Sequence, residues 1–305
     1  MDSTLPPGAV DAATEAINPR TRDLDRRDTA GIVDALLDEE ALVLPAVRDV
    51  AAEIARLADV VVDRFGRGGR LVYVGAGTSG RLGALDAAEC PPTFGTDPAR
   101  IVALLAGGPT AMTTSIEGAE DAREAGAREV AALAPGPEDV VVGLAASGRT
   151  PYVLGAIDEA RHRGAFVAGV TCSPGSRLAA AVDLAIVPDV GPEAIAGSTR
   201  LKAGTAQKLV LNALSTTVMV RLGKTYGNLM VDLQVGNEKL RQRAVAIVAA
   251  ATGLDAATAE RLLADADGEA KVAIVAALAD VGPDEARRRL AAAGGRVRAT
   301  LEGGL

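Results

Sequence analysis

Leu71-Val-Tyr-Val74 runs straight into Gly75-Ala-Gly-Thr-Ser-Gly-Arg81. An apolar stretch of strand length breaks into a glycine-rich loop and then starts a helix. Three glycines let the backbone approach a ligand and take positive φ where a turn needs it. Thr78 and Ser79 add hydroxyls, and the following helix offers unpaired N–H groups at the positive end of its dipole. Together they make an anion site, with phosphate the natural occupant. The loop is not a Walker loop, because no Gly-Lys-Ser/Thr follows. Gly75-x-Gly77-x-x-Gly80 fits the dinucleotide spacing, but that fingerprint also wants an acid at the end of the second strand. Glu89 and Asp97 stand near that distance, yet Glu89-Cys-Pro-Pro92 reads as a helix end running into a turn. A tight βα turn with no ligand is the alternative reading.

Working outward, strands are expected at 71–74, 101–105, 140–144, 166–171 and 184–187, most of them continuous apolar runs that imply a sheet covered on both faces. Helices are expected between them at 81–88, 117–133, 151–163 and 176–181. This alternation predicts an α/β fold with a parallel sheet and right-handed crossovers, its ligands beyond the carboxyl ends of the strands. Before the sheet, residues 1–22 read as poorly structured. A polar helix follows from Asp28 to Leu37, then a long one over 41–65 that Pro45 kinks or restarts. After the sheet come a helix over 200–222, an interruption at Gly223-Lys-Thr-Tyr-Gly-Asn228 and another helix from about Asn237. An Ala-rich set of short amphipathic helices closes the chain. The expected organisation is an N-terminal segment (1–22), one sheet-containing domain with its N-terminal helices (23–235) and a small C-terminal helical subdomain (236–305).

The composition narrows the chemistry. Of 305 residues, 49% are apolar but only 2% aromatic, so Ala, Val and Leu must fill the core. The net charge is −8, with no basic stretch or stacking platform, which argues against nucleic-acid binding. An anionic substrate must therefore be held locally. Cys90 and Cys172 are the only cysteines, which fits a reducing, cytoplasmic setting. Met1-Asp-Ser-Thr-Leu-Pro-Pro7 lacks the pattern of a signal peptide, and no apolar run reaches membrane-spanning length. His162 is the only histidine and sits in a charged helix end. Multi-His zinc sites are excluded, and acid–base work falls to carboxylates, Lys or Tyr.

Two further loops carry candidate groups. Ala145-Ala-Ser-Gly-Arg-Thr-Pro151 follows a strand and is again small and hydroxyl-rich. Ser147, Gly148 and Thr150 there are expected to converge with the first loop on one phosphate pocket. Pro151 suits a first helical position, so Thr150 as a simple N-cap is the competing reading. Glu193-Ala-Ile-Ala-Gly-Ser-Thr-Arg-Leu-Lys-Ala-Gly-Thr-Ala-Gln-Lys208 places Arg200, Lys202 and Lys208 in the first turns of a helix, where cations oppose the dipole. An anionic ligand, a partner's acidic edge or plain solvation are the readings for them. Asp86 and Glu89 are expected on one helical face. Glu117, Glu120 and Asp121 read, by themselves, as dipole partners at a helix start.

These segments resemble the N-acetylmuramic acid 6-phosphate etherases of the sugar-isomerase (SIS) superfamily, over about residues 21–295. The resemblance is carried by the motifs from Val74 to Gly83, Glu89 to Gly95, Glu117 to Asp121, Ala145 to Tyr152, Gly197 to Asn212 and Gly227 to Asp232. It implies a three-layer SIS fold with a five-stranded parallel sheet. It also implies a cytoplasmic homodimer with no metal or organic cofactor, acting in peptidoglycan recycling. The implied reaction cleaves the D-lactyl ether of N-acetylmuramic acid 6-phosphate, with Glu89 as catalytic acid and Glu120 as second catalytic carboxylate. Thr78, Ser79, Ser147 and Thr150 are implied phosphate ligands, and Glu193 an implied contact to the sugar. Two other readings stay open. One is a non-catalytic sugar-phosphate regulator of the glucokinase regulatory protein type; the other is an aldose–ketose phosphosugar isomerase with Glu193 as base.

Overall fold

The computed structural model describes residues 13–233 and 237–303. Helices α1 (Thr29–Glu40), α2 (Val43–Asp49) and α3 (Ala51–Gly66) come first. Strands and helices then alternate: β1 (Leu71–Gly75), α4 (Gly77–Phe94), β2 (Ile101–Leu105), α5 (Arg123–Leu133), β3 (Val140–Leu144), α6 (Pro151–His162), β4 (Phe166–Val170), α7 (Arg177–Ala181) and β5 (Leu184–Ile186). Next come α8 (Lys202–Arg221) and a short hairpin of β6 (Thr225–Tyr226) and β7 (Leu229–Met230). The last helices are α9 (Glu238–Thr252), α10 (Ala256–Asp265), α11 (Ala270–Leu278), α12 (Pro283–Ala292) and α13 (Val297–Glu302). The chain divides into two compact units. The first runs to Ala87 and resumes over Ala99–Ser215; the second holds Ala88–Pro98 and the chain from Thr216 onward. This division departs from the expected boundary after residue 235, because the second unit takes the ends of α4 and α8.

In the first unit the five strands are parallel throughout, in the order β2-β1-β3-β4-β5. Every residue of β1 and β3 is buried. Val72, Val74, Val141 and Val167 pack with Val153 and Ile157 of α6 on one face. On the other face Leu71, Tyr73, Val140 and Val142 are equally buried, and α3 lies against β3 and β5. Cover on both faces is why these strands read as unbroken apolar runs. The strand order reverses between β1 and β3. Their following loops therefore open side by side at the carboxyl edge, the place where sheets of this kind leave a crevice.

The turn from β1 into α4 has almost no room. A Cβ on Gly80 would lie 2.6 Å from the carbonyl carbon and oxygen of Gly75 and 2.5 Å from Leu105 Cδ1, and a Cβ on Gly75 would lie 2.6 Å from Gly80 Cα. Only two glycines permit this approach.

Several elements differ from the sequence expectation. α4 does not stop near residue 88 but continues through Pro91 and Pro92 to Phe94. The two prolines remove N–H donors that the carbonyls of Ala87 and Ala88 would have used, and the first unit ends at that same point. The stretch expected as one helix over 41–65 is two, broken at Val50 rather than at Pro45. Pro45 sits in the first turn of α2, where its missing N–H would have had no partner. The helix expected over 117–133 is a separate 3-10 turn, Ala119–Asp121, followed by α5, because Gly118 takes a left-handed φ of 71°. Of the segment expected to be poorly structured, 1–12 lie outside the described residues. Residues 13–22 instead include two 3-10 turns with Thr14, Asn18 and Thr21 buried. Gly197 N–H donates to Thr14 O at 3.1 Å, Asn18 Nδ2 to Pro192 O at 3.2 Å and Thr21 Oγ1 to Ala194 O at 2.8 Å.

The second unit packs α9 to α13 around α11, whose Ala273, Ile274 and Val275 are fully buried. Its core is again Ala, Val, Leu and Ile. No helix among the described residues is long and apolar enough to cross a membrane.

A buried ion network ties three elements of the first unit together. Lys202 Nζ at the start of α8 lies 2.6 Å from Glu39 Oε2 at the end of α1, and both side chains are almost wholly buried. Arg20 from the N-terminal turns pairs with Glu39 at 2.5 and 3.0 Å. Lys202 is thus an internal ion-pair partner, not the ligand contact, partner contact or solvated cation that its sequence position offered. The Arg20 guanidinium, with Lys202 and Asn18, holds the Glu39 carboxyl down at about 2 from the ordinary 4.5. Glu39→Gln is expected to cost about 3 kcal/mol, because it leaves a buried ammonium unpaired. A carboxyl depressed in the folded state stabilises fully above its unfolded value and stops stabilising as pH falls through its folded value. The Tm gap between the parent and Glu39→Gln should therefore close as pH is lowered from 4.5 to 2 in calorimetric scans. Gly80→Ala should lower stability by about 2–3 kcal/mol in urea titration, since the added methyl meets backbone that cannot yield.

Candidate active site

The loops after β1 and β3 line one cavity of about 540 Å³ in the first unit. Thr78 and Ser79 come from the first loop, Ser147 and Thr150 from the second, and Glu120 from the 3-10 turn before α5. Gly197 and Thr199, from the segment before α8, also reach it. The convergence expected of the two hydroxyl-rich loops is thus a feature of the structure, with the third loop added.

Each loop is held by its own bonds. The N–H of Gly80 donates to Ala76 O at 3.1 Å, so the N–H groups of Gly77, Thr78 and Ser79 precede the helical ladder, and all three residues line the cavity. Ser79 Oγ donates to Gln207 Oε1 at 2.7 Å, and Gln207 Nε2 donates to Val170 O at 3.3 Å. The first loop is thereby tied to α8 and β4. In the second loop Ala146 O accepts three hydrogen bonds, from Cys172 N–H at 2.9 Å, Thr171 Oγ1 at 3.1 Å and Ser173 Oγ at 3.2 Å. Gly148 has a left-handed φ of 62°, and a Cβ there would lie 2.2 Å from Ser176 Oγ. Thr150 occupies the N-cap of α6 but makes no side-chain capping bond. The residue lines the cavity, and the absence of a capping bond removes the simple-cap reading.

The carboxylates divide. Glu120 is exposed on the cavity wall and also borders a smaller neighbouring cavity of about 280 Å³ that carries Arg81. Glu89 is exposed on α4 in the second unit, two residues before Pro91. Asp86, one helical turn before it on α4, is instead buried and accepts from Tyr73 Oη and Ser215 Oγ, both at 2.9 Å. Burial pushes the Asp86 carboxyl up. Glu193 does not line the cavity. It is fully buried and accepts from the N–H groups of Lys202 at 3.0 Å and Ala203 at 2.9 Å, so it caps α8. Burial raises its pKa against the pull of those two bonds. Its observed role is to fix the start of α8 rather than to meet a sugar.

Other residues raised by the sequence lie apart from chemistry. His162 is exposed at the end of α6. Tyr152 is buried and donates to Glu129 Oε2 at 2.5 Å. Cys90 and Cys172 are both buried, and burial pushes the Cys172 thiol up to about 12. Two cavity residues escaped sequence reasoning. Glu15 belongs to a stretch with no periodic pattern, and only its bonds to the 192–197 loop bring it to the cavity. Arg149 sits within a recognised motif but carried no assigned role.

Comparison with known proteins agrees with this architecture. Three family models match: the glucokinase regulatory protein N-terminal SIS domain over residues 50–161, the SIS domain over 119–217, and the C-terminal lid domain of glucokinase regulatory protein over 227–272. The solved structure of a phosphoheptose isomerase from Francisella tularensis superposes with a TM-score of 0.50 at 18% identity, covering 63% of this chain and 98% of that one; it shows the fold alone. The nearer relatives are curated proteins named N-acetylmuramic acid 6-phosphate etherase. The one from Streptomyces avermitilis is 57% identical over 85% of this chain and 83% of its own. Those from Rubrobacter xylanophilus and Jannaschia sp. are 57% and 52% identical, over 85% of this chain and 86% and 82% of theirs. The resemblance drawn from the motifs is borne out. Identity above one half across most of both chains fixes the family within the shared SIS sheet: the chain belongs to the N-acetylmuramic acid 6-phosphate etherases, enzymes of the lyase type.

Proposed function

We propose that this chain cleaves the D-lactyl ether of N-acetylmuramic acid 6-phosphate to N-acetylglucosamine 6-phosphate and D-lactate, as a step in cell-wall peptidoglycan recycling. The observation that carries the reading is the cavity itself, where an anion cradle of helix N–H groups and hydroxyls faces a carboxylate, Glu120. The names of the relatives supply the substrate. The hydroxyls of Thr78, Ser147 and Thr150 are assigned to the phosphate, and Ser79 through its backbone N–H, because its hydroxyl proton is given to Gln207. Glu89 and Glu120 are assigned to the proton transfers, and the working form to a cytoplasmic homodimer.

Two carboxylates suffice for the chemistry. Opening of the sugar ring exposes an aldehyde at C1, which acidifies the proton on C2. A base removes that proton, and the electron pair forms the C2–C3 double bond. The C3–O bond breaks as an acid protonates the ether oxygen, and lactate departs. Water then adds its hydroxyl to C3 and its proton to C2, restoring a saturated sugar. Glu120 is assigned to the proton at C2; Glu89, which lines neither of the two cavities, is assigned to the leaving oxygen and then to water activation on the family resemblance alone.

Incubation with N-acetylmuramic acid 6-phosphate and a chelator should release D-lactate and N-acetylglucosamine 6-phosphate in equal amounts. No lactate, with a Tm raised by the sugar phosphate, would sink the etherase reading and favour a regulator, which the matches to glucokinase regulatory protein modules also allow. Glu89→Gln and Glu120→Gln should each lower kcat by about 10²–10⁴ in a coupled lactate assay. Near-normal turnover in either would remove that residue from the mechanism. Thr150→Val should raise KM about tenfold for one lost charge-assisted hydrogen bond and leave Tm unchanged, because the hydroxyl caps nothing.

A further inference from the structure

The proposed substrate carries two anions, and the cradle answers only one of them. The phosphate has the helix N–H groups and hydroxyls. The lactyl arm ends in a carboxylate, and it must enter a cavity that already holds Glu15, Glu120 and Asp121. Three carboxylates in one concave site repel a fourth. Among the described residues lining this cavity, Arg149 is the one cation.

The setting of Arg149 matches a carboxylate. Its Nη2 faces Glu15 Oε1 at 3.7 Å, an ion pair longer than the 2.7–2.9 Å of a good charge-assisted hydrogen bond. Both side chains are about one-third exposed, at 38% and 35%, so neither is locked in place. Glu15 is brought there by the backbone, through Thr14 O accepting from Gly197 N–H. A carboxylate thus already stands loosely before the guanidinium. The planar fork of Arg takes a carboxylate through two parallel N–H bonds, which the 3.7 Å contact does not achieve. Arg81, the cation of the smaller neighbouring cavity, has its Nε committed to Ala111 O at 2.9 Å.

We propose that Arg149 is the specificity-determining residue that binds the lactyl carboxylate, displacing Glu15 when substrate enters. This rests on the etherase reading above and adds the group that selects an acidic ether over a plain sugar phosphate. The carboxylate stays on the lactate when the C3–O bond breaks. Arg149 therefore holds the leaving group through elimination, and Glu15 reclaims the guanidinium as lactate departs.

The test compares two ligands that differ by the lactyl arm. In Arg149→Met, kcat/KM for N-acetylmuramic acid 6-phosphate should fall about thirtyfold, while the Ki of N-acetylglucosamine 6-phosphate as a competitive inhibitor stays within about threefold. Arg149→Lys, which keeps the charge but loses the fork, should fall between the two. Equal weakening of both ligands would overturn the proposal and assign Arg149 to the phosphate. No change in either would reduce it to a surface ion pair. Glu15→Gln should lower KM for N-acetylmuramic acid 6-phosphate alone, and an unchanged KM would overturn the displacement by Glu15. Absence of lactate from the unaltered protein would overturn the etherase reading itself, an outcome distinct from lactate release with an unselective Arg149→Met.

Discussion

Only Ala76 separates the last residue of β1 from the first residue of α4. The chain can turn that sharply because Gly75 and Gly80 meet backbone to backbone, at distances no side chain allows. This contact sets the start of α4 against the carboxyl edge of the sheet, beside the point where strand order reverses. The N–H groups of Gly77, Thr78 and Ser79 therefore face the same space as the loop after β3. Without it the helix would start farther from the sheet, and the cavity would lose the unpaired N–H groups of its first turn.

The opposite wall depends on where α8 begins. Its first N–H groups are capped by the buried Glu193, and its first side chain, Lys202, is pinned by Glu39. From that fixed start α8 presents Gln207 to Ser79 and to the carbonyl of Val170. Carboxylates that look like candidate catalysts by type thus act as anchors. A buried charge that is fully paired and hydrogen-bonded is held in one geometry. That is what a site made of short loops requires if its hydroxyls are to keep their spacing. The 3-10 turns at 13–21 join the same network through Arg20 and bring Glu15 to the cavity as a consequence.

An acidic protein that takes an anionic substrate has to solve attraction locally. The net charge of −8 offers no long-range steering toward a sugar phosphate. In the proposed function backbone dipoles and hydroxyls bind the phosphate without adding formal charge, which leaves room for the carboxylates that line the cavity. A site built from several cations would bind phosphate more tightly but would favour the ionised form of every neighbouring carboxyl. One guanidinium, loosely paired with Glu15, fits that economy of charge.

The sequence by itself determined the sheet, because strands buried on both faces leave unbroken apolar runs that no amphipathic helix produces. It determined the two hydroxyl loops as well, since glycine spacing and adjacent hydroxyls are local features. It also carried the family, through motifs that hold their order from Val74 to Asp232. Tertiary structure decided the rest. Lys202, Glu193 and Asp86 have the same sequence signature as solvated or catalytic groups, and only burial shows them as structural. Glu120 left the helix expected for it because Gly118 turns left-handed. α4 ran through two prolines near its end, where few bonds remained to lose. Glu15 reached the cavity through hydrogen bonds to residues more than 170 positions away along the chain. Such contacts join groups distant in sequence, so no periodicity or spacing within a local window encodes them.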